Sequence, residues 1–306
     1  MPVRRILPLL IVALAACGES RDGTTDKQAP ASDPPSTQAA RTQPVPTPMP
    51  REGILLAFSA DSGRYTLEPI ALITPGGLRD PWQTEDNDAF NQRYFAPGTH
   101  YTVHSMGALS GEARVLRMIE PACTERVAEA AFTDATPQPP VSGGLASDAF
   151  GPATAHRLMR VPLVPEENEL ASLADSIHAS HRIPTAARAR TENQRLFAIT
   201  IPGAAKPVLV GTFNVTVPGD DETEQTYNQL LVAEAAGGVY RPAYVHHDRD
   251  DGETGMRSLL DVADLDGDGV PEMVVQVMYN EGWGFAVLKR GAGGWREIYR
   301  GGGGGC

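Results

Sequence analysis

Beyond residue 52 the chain alternates short apolar runs with clusters of Gly, Pro, Asp and Ser, the pattern of strands joined by turns. Residues 53–60 and 64–73 flank Asp61-Ser62-Gly63, three residues tolerant of turn dihedrals, and predict a first hairpin. Residues 100–106 and 112–119 flank a Gly107 to Gly111 turn and predict a second. Residues 134–152, rich in Pro, Gly and Ser, read as a loop or internal boundary. One stretch changes period. From Glu166 to about Ser180, Leu170, Leu173, Ala174 and Ile177 fall at i, i+3, i+4 and i+7, which predicts an amphipathic helix. Pro165 and the acidic Glu166, Glu167 and Glu169 suit its N-terminus.

The last hundred residues repeat one order of elements. Residues 197–201, a Pro202-Gly203 turn and residues 208–215 predict a hairpin, followed by 229–233, Ala236-Gly237-Gly238 and 239–245. The order returns in 259–263, an Asp/Gly turn, 273–279, then 285–289, Ala292-Gly293-Gly294 and 295–299. Two four-stranded units of roughly fifty residues suit propeller blades. Few identities are shared between them, so chance likeness between hairpins is the alternative. The expected fold is mainly β, with propeller-like or partial-propeller hairpin units and one amphipathic helix; an α+β fold is the alternative.

The N-terminus has a different character. Arg4 and Arg5 precede an apolar stretch, residues 6–16, broken only by Pro8. A bilayer span needs ~20 apolar residues, so this shorter run reads as a secretory signal peptide. Its end, Leu14-Ala15-Ala16-Cys17, resembles the lipobox of bacterial lipoproteins. The resemblance implies cleavage before Cys17 and lipidation, palmitate included, of its thiol and new amino group. An ordinary signal cut after Ala16 is the alternative. Gly18, where an Asp would resemble an inner-membrane retention signal, points to the outer membrane, facing the periplasm, if the source is Gram-negative. Seven prolines between Pro30 and Pro50 and almost no apolar residues predict a disordered, Pro-rich tether over 17–52. The expected organisation is thus a signal peptide (1–16), the tether (17–52), an N-terminal β-rich region (53–152) and a helix plus β-rich C-terminal region (153–306).

Charge narrows the partners. The chain has 26 Lys+Arg against 38 Asp+Glu, a net charge of −12, which disfavours nucleic acid and anionic-lipid surfaces. Membrane contact is therefore expected through the lipid anchor only. The 31 Gly and 26 Pro favour short strands and turns over a helical bundle.

Residues 261–272 carry the strongest chemistry: Asp-Val-Ala-Asp-Leu-Asp-Gly-Asp-Gly-Val-Pro-Glu. Alternating Asp264, Asp266 and Asp268 can aim three carboxylates at one centre when Gly267 and Gly269 let the backbone curl. The Val270 carbonyl and Glu272 add oxygens. Such an oxygen-only, anionic set suits Ca²⁺ better than Zn²⁺ or copper. An EF-hand would need a bidentate Glu where Val275 stands, and the residues after Glu272 are strand-like. Strand, Asp-rich loop, strand over residues 259–277 resembles the FG-GAP/VCBS repeat. That resemblance implies a calcium loop between strands of a β-propeller blade, with Asp264, Asp266, Asp268, Val270 and Glu272 as ligands.

Other groups are weaker. His246-His247-Asp248-Arg249-Asp250-Asp251-Gly252-Glu253 reads as a solvated loop rather than a second ion or carbohydrate site. His178 and His181 lie one turn apart but lack a third metal ligand nearby in sequence, and His100 with His104 has the same weakness. Trp82, Trp283 and Trp295 suit a β core better than sugar stacking. Cys123 and Cys306 could form a disulfide in an oxidising periplasm, with Gly301 to Gly305 giving Cys306 reach; free thiols or an intermolecular bridge are the alternatives. No G-x-S-x-G, H-E-x-x-H, phosphate loop or dinucleotide fingerprint is present. The functional expectation is an exported, lipid-anchored envelope protein, a calcium-stabilised binding or structural module for a protein or glycan ligand. A periplasmic hydrolase of polysaccharide or peptide, with acidic catalysts still to be identified, is the alternative, and a subunit of an envelope assembly is a third.

Overall fold

The computed structural model describes residues 52–61, 64–83, 86–119, 126–133, 143–150, 157–218, 224–249 and 255–305. The expected signal peptide and tether, and Cys17, Cys123 and Cys306, lie outside these residues. No described helix is long and apolar enough to cross a membrane.

The chain is mainly β. Seven strands come first: β1 (Gly53–Asp61), β2 (Arg64–Thr74), β3 (Gly77–Arg79), β4 (His100–Ser105), β5 (Ala108–Ile119), β6 (Val127–Phe132) and β7 (Gly144–Ser147). All pair antiparallel in the order β1-β7-β4-β5-β6-β2-β3, and β1 also pairs with β2, which closes six of them into a barrel. Closure leaves only short β3 at an edge, so the backbone groups of the ring satisfy one another. Ile54, Leu56 and Phe58 on β1 share one core with Leu67, Tyr101, Val103 and Val115. Helix α1 (Asn87–Tyr94), capped by the Asp86 carboxylate on the Ala89 N–H at 2.9 Å, adds Phe90, Tyr94 and the following Phe95 to that core.

Two antiparallel meanders follow. The first has strand order β12-β11-β10-β9-β8, from β8 (Met159–Arg160), β9 (Glu192–Ile199), β10 (Val208–Pro218), β11 (Glu224–Ala236) and β12 (Val239–Arg249). The second runs β13 (Met256–Ala263), β14 (Glu272–Tyr279), β15 (Gly282–Gly291) and β16 (Gly294–Gly305) in chain order. These strands span the hairpins that the apolar runs predict from residue 197 onward. Met273, Val275, Ala286 and Leu288 share a core with Val208, Val210, Leu230 and Val232 of the first meander. Val274, Phe285 and Val287 share another with Leu55, Ile70 and Leu145 of the barrel. The second meander is therefore the middle layer, buried on both faces. That explains runs such as 273–275 and 285–288, in which consecutive residues are all apolar.

Helix α2 (Val164–Ser180) lays Leu170 and Ala174, with Leu173 and Ile177 partly buried, on the outer face of the first meander. It begins two residues before the sequence suggests, with Pro165 in its first turn. The Glu166 carboxylate accepts the Leu163 N–H at 2.8 Å and grips Arg160 through two bonds of 2.7 Å, which holds its pKa below the usual range. Glu166→Ala should therefore cost about 1 kcal/mol. Thermal unfolding followed by circular dichroism should show a Tm about 2–4 °C lower. A short helix, α3 (Thr185–Arg188), buries Ala187 beside Val215 and Val217.

Four local expectations change. Within the expected loop of 134–152, Gly144–Ser147 form β7, paired with both β1 and β4. The second hairpin turns at Met106-Gly107, with φ of 57° and 71°, so the residues after Gly107 belong to β5. Two consecutive positive φ values make this the two-residue turn whose twist matches its strands. Residues 246–249 belong to β12 rather than to a solvated loop, because they continue its pairing with β11; residues 250–254 lie outside the described set. Gly301 to Gly305 are not a slack reach but the end of β16, paired with β15. A Cβ on Gly302 would come within 2.6 Å of the Pro69 and Ile70 carbonyls of β2. Glycine lets the barrel approach this close.

Candidate metal centre

The loop between β13 and β14 is built by its own carboxylates. Asp264 accepts the N–H groups of Gly267 at 2.8 Å and Gly269 at 2.9 Å, and Asp268 accepts that of Val270 at 2.8 Å. These local bonds curl the backbone, and the pairing of Ala263 with Glu272 closes it. One oxygen from each of Asp264, Asp266 and Asp268 lies within 4.8 Å of the others. Those three side chains are exposed, while Glu272 is buried on β14 and accepts the Leu265 N–H at 2.8 Å.

Lys289, which the sequence did not single out, reaches in from β15. Its ammonium pairs with Asp266, with Asp268 at 2.7 Å and with Glu272 at 3.0 Å. Register brings it there: Met273 faces Leu288, so the next residue on β15 stands beside the loop. Burial pushes Glu272 up to about 7 and raises Asp264. Asp268 feels burial too, but its hydrogen bond from Lys289 leaves it below its ordinary value. Burial disfavours the Lys289 cation, yet the three carboxylates hold its pKa above the usual lysine range. The donors are hard oxygens that already converge on a cation, and this chemistry fits Ca²⁺. Four carboxylates against one ammonium leave an excess of negative charge for a divalent ion to offset. Val270 is half-buried beside the core between the two meanders.

Asp261, three residues before the loop, is a position that sequence reading left without a role. A bulge in β13 between Leu259 and Asp261 breaks the strand's alternation there. The carboxylate is 1% exposed; its Oδ1 accepts the N–H groups of Gly107 and Val262, each at 2.7 Å, and its Oδ2 has no partner among the described residues. It thus ties the sheet that carries the loop to the barrel's β4–β5 turn. Burial pushes its pKa up to about 7.

The remaining candidates separate. His100 pairs with Glu112, and His104 is buried against Phe150. Trp295 is core and donates to Glu234 at 2.6 Å; Trp283 donates to Glu68, and Trp82 lies under the Arg126 guanidinium at 4.5 Å. His178, His181 and His247 come together, although 69 residues separate the first from the last. A cleft of about 260 Å³ is lined by Lys206, Glu234 and Arg290, but Glu234 is engaged by Arg290 at 2.8 and 2.9 Å and by Trp295.

No protein-family model, curated protein or solved structure matches this chain.

Proposed function

We propose that this chain is an exported, lipid-anchored module of the cell envelope, with a calcium-stabilised body that binds or scaffolds a protein or glycan. The observation that carries the reading is the convergence of Asp264, Asp266 and Asp268 within 4.8 Å, joined by Glu272 through Lys289. Asp264, Asp266, Asp268, Glu272 and the Val270 carbonyl would hold the ion, which would offset their mutual repulsion and lock the β13–β14 loop. The two stacked meanders, the second of which carries the loop, support a propeller-like, two-blade arrangement. Lipobox-like Leu14-Ala15-Ala16-Cys17 and the Pro-rich stretch after it support the anchor and tether. In the cleft lined by Lys206, Glu234 and Arg290 the carboxylate is held by Arg290 and Trp295, which supports a structural role for it over hydrolysis there.

The test is thermal unfolding of the full chain, stripped with EDTA and then given Ca²⁺ or Mg²⁺. Ca²⁺ at a hundred times its Kd should add about 2.7 kcal/mol. In a body of this size that is a Tm rise of about 5–10 °C. Mg²⁺ should do far less, since it dehydrates reluctantly and demands octahedral geometry. Asp266→Ala should abolish the shift, and Lys289→Met, which frees three carboxylates, should enlarge it. No shift at millimolar Ca²⁺ would reduce the loop to an acidic turn neutralised by Lys289.

A further inference from the structure

The face of the first meander that carries α2 holds a second polar cluster, remote in sequence from the acidic loop and independent of the calcium reading. His178 follows Leu170 and Ala174 on the buried face of α2, and His247 lies on β12 directly opposite Gln229 of β11. His178 Nδ1 and His247 Nε2 are 3.0 Å apart. His181, at the C-cap of α2, lies flat on the His247 ring with centroids 3.8 Å apart and planes inclined by 16°. Tyr227 flanks the other rings, 5.8 Å from His247.

Polar satisfaction fails at this spot. His178 is wholly buried and its Nε2 has no hydrogen-bond partner; Gln229 is wholly buried and neither its Oε1 nor its Nε2 has one. Buried polar atoms without partners are uncommon, and three on one face mark a spot whose polar groups the described residues do not satisfy. The available donors are imidazole nitrogens and an amide; the Asp175 and Asp248 carboxylates act on the rings through their charge, and Asp175 is paired with Arg188. That set suits a borderline transition metal and is poor for Ca²⁺ or Mg²⁺. Two nitrogens bound to one tetrahedral zinc ion stand about 3.3 Å apart. The His178–His247 pair is within a few tenths of an ångström of that separation. The three rings do not yet converge, because His181 stacks on His247. His181 is exposed, and an ion at this spot would require its ring to leave the face of His247 and turn a nitrogen toward the pair.

We propose that His178 Nδ1, His247 Nε2 and His181 form a binding site for an imidazole-preferring divalent metal, Zn²⁺ foremost, with Gln229 supplying a polar partner beside it. The metal takes the place of the proton shared between the two facing nitrogens. No proton need leave: His178 carries its N–H on Nε2 instead of Nδ1, and His247 keeps its own on Nδ1. Three protein nitrogens leave the fourth position of a tetrahedral ion open to water or an incoming ligand.

Co²⁺ is the probe, because its visible spectrum reports coordination. The chelator-stripped full chain should take up a single equivalent of Co²⁺ with the strong bands of a tetrahedral site, and Zn²⁺ should displace it. His247→Gln should abolish the spectrum. His181→Ala, at an exposed position outside the packed core, should keep the native circular dichroism and weaken Zn²⁺ at least ~10-fold. Asp266→Ala should leave the site unchanged. No tetrahedral spectrum from natively folded wild type would overturn the proposal. So would uptake that survives His247→Gln and is lost in Asp266→Ala, which would put the metal in the acidic loop.

Discussion

Between pH 6.5 and pH 4.5 the protein is expected to lose roughly 4 kcal/mol of stability, well before its exposed carboxylates titrate. Four histidines drive the loss. Burial lowers His104, His178, His246 and His247 to about 4; His181 and His178 push His247 down further, and Arg257 does the same to His246. An unfolded chain takes up protons at these side chains near pH 6.5, whereas the folded chain refuses them until about pH 4. Their stabilising effect is therefore complete above pH 6.5 and disappears as the pH falls. Asp261 and Glu272 act in the opposite sense. Burial raises both to about 7, so the folded state keeps protons that the unfolded state has released, and their contribution weakens as pH rises toward 7. Four groups against two leave the unfolded state richer in protons, a slope of roughly 2 kcal/mol per pH unit. Denaturant unfolding at pH 8, 6.5, 5.5 and 4.5 would measure it. His104→Gln or His178→Gln should flatten the curve, and a wild-type profile level across that range would show these rings to be solvated.

Asp261→Ala is the next largest effect, a loss of about 3 kcal/mol. The substitution strips the acceptor from the N–H groups of Gly107 and Val262 inside a contact that water does not reach. Met106 already holds an unfavourable positive φ of 57°, and the bond from Asp261 to the adjacent Gly107 helps to hold that turn. The barrel turn should loosen from the sheet that carries the acidic loop, and Tm should fall by about 6–12 °C. Asp261→Asn retains an oxygen acceptor without a charge and should cost less than ~1 kcal/mol at pH 8, where the wild-type carboxylate has been forced to ionise. Equal losses for Ala and Asn would mean that packing, and not the acceptor, makes this residue matter.

Local features were readable wherever neighbours in sequence are also neighbours in space. The 3.6-residue spacing of Leu170, Ala174 and Ile177 appears as α2, and its acidic first turn does what the sequence suggested, with Glu166 bonding back to Leu163. The apolar runs from 197 to 299 became eight strands of two meanders, because each pairs with the next across a short turn. Within the acidic loop, Asp264, Asp266 and Asp268 converge because the glycines and the local Asp-to-backbone bonds lie within a few residues of one another.

What the chain alone could not reveal depended on distant pairing. The first strand reaches β7 across nearly ninety residues to close the barrel, and no local pattern records that partner. A register between β14 and β15 delivers Lys289 to the acidic loop, and a strand pairing together with a helix brings His178 and His247 within 3.0 Å. The glycine run likewise takes its meaning from distant atoms, the carbonyls of β2 that a side chain on Gly302 would strike.

Periodicity and loop composition act over a few residues, so they specify the strand-rich class, the long helix α2 and the oxygen chemistry of residues 264–272. The barrel, the cation that faces those carboxylates, the histidine cluster and the buried role of Asp261 arise only from packing between distant segments. Each needs side chains tens to hundreds of residues apart, and only the packing of sheet on sheet brings them together.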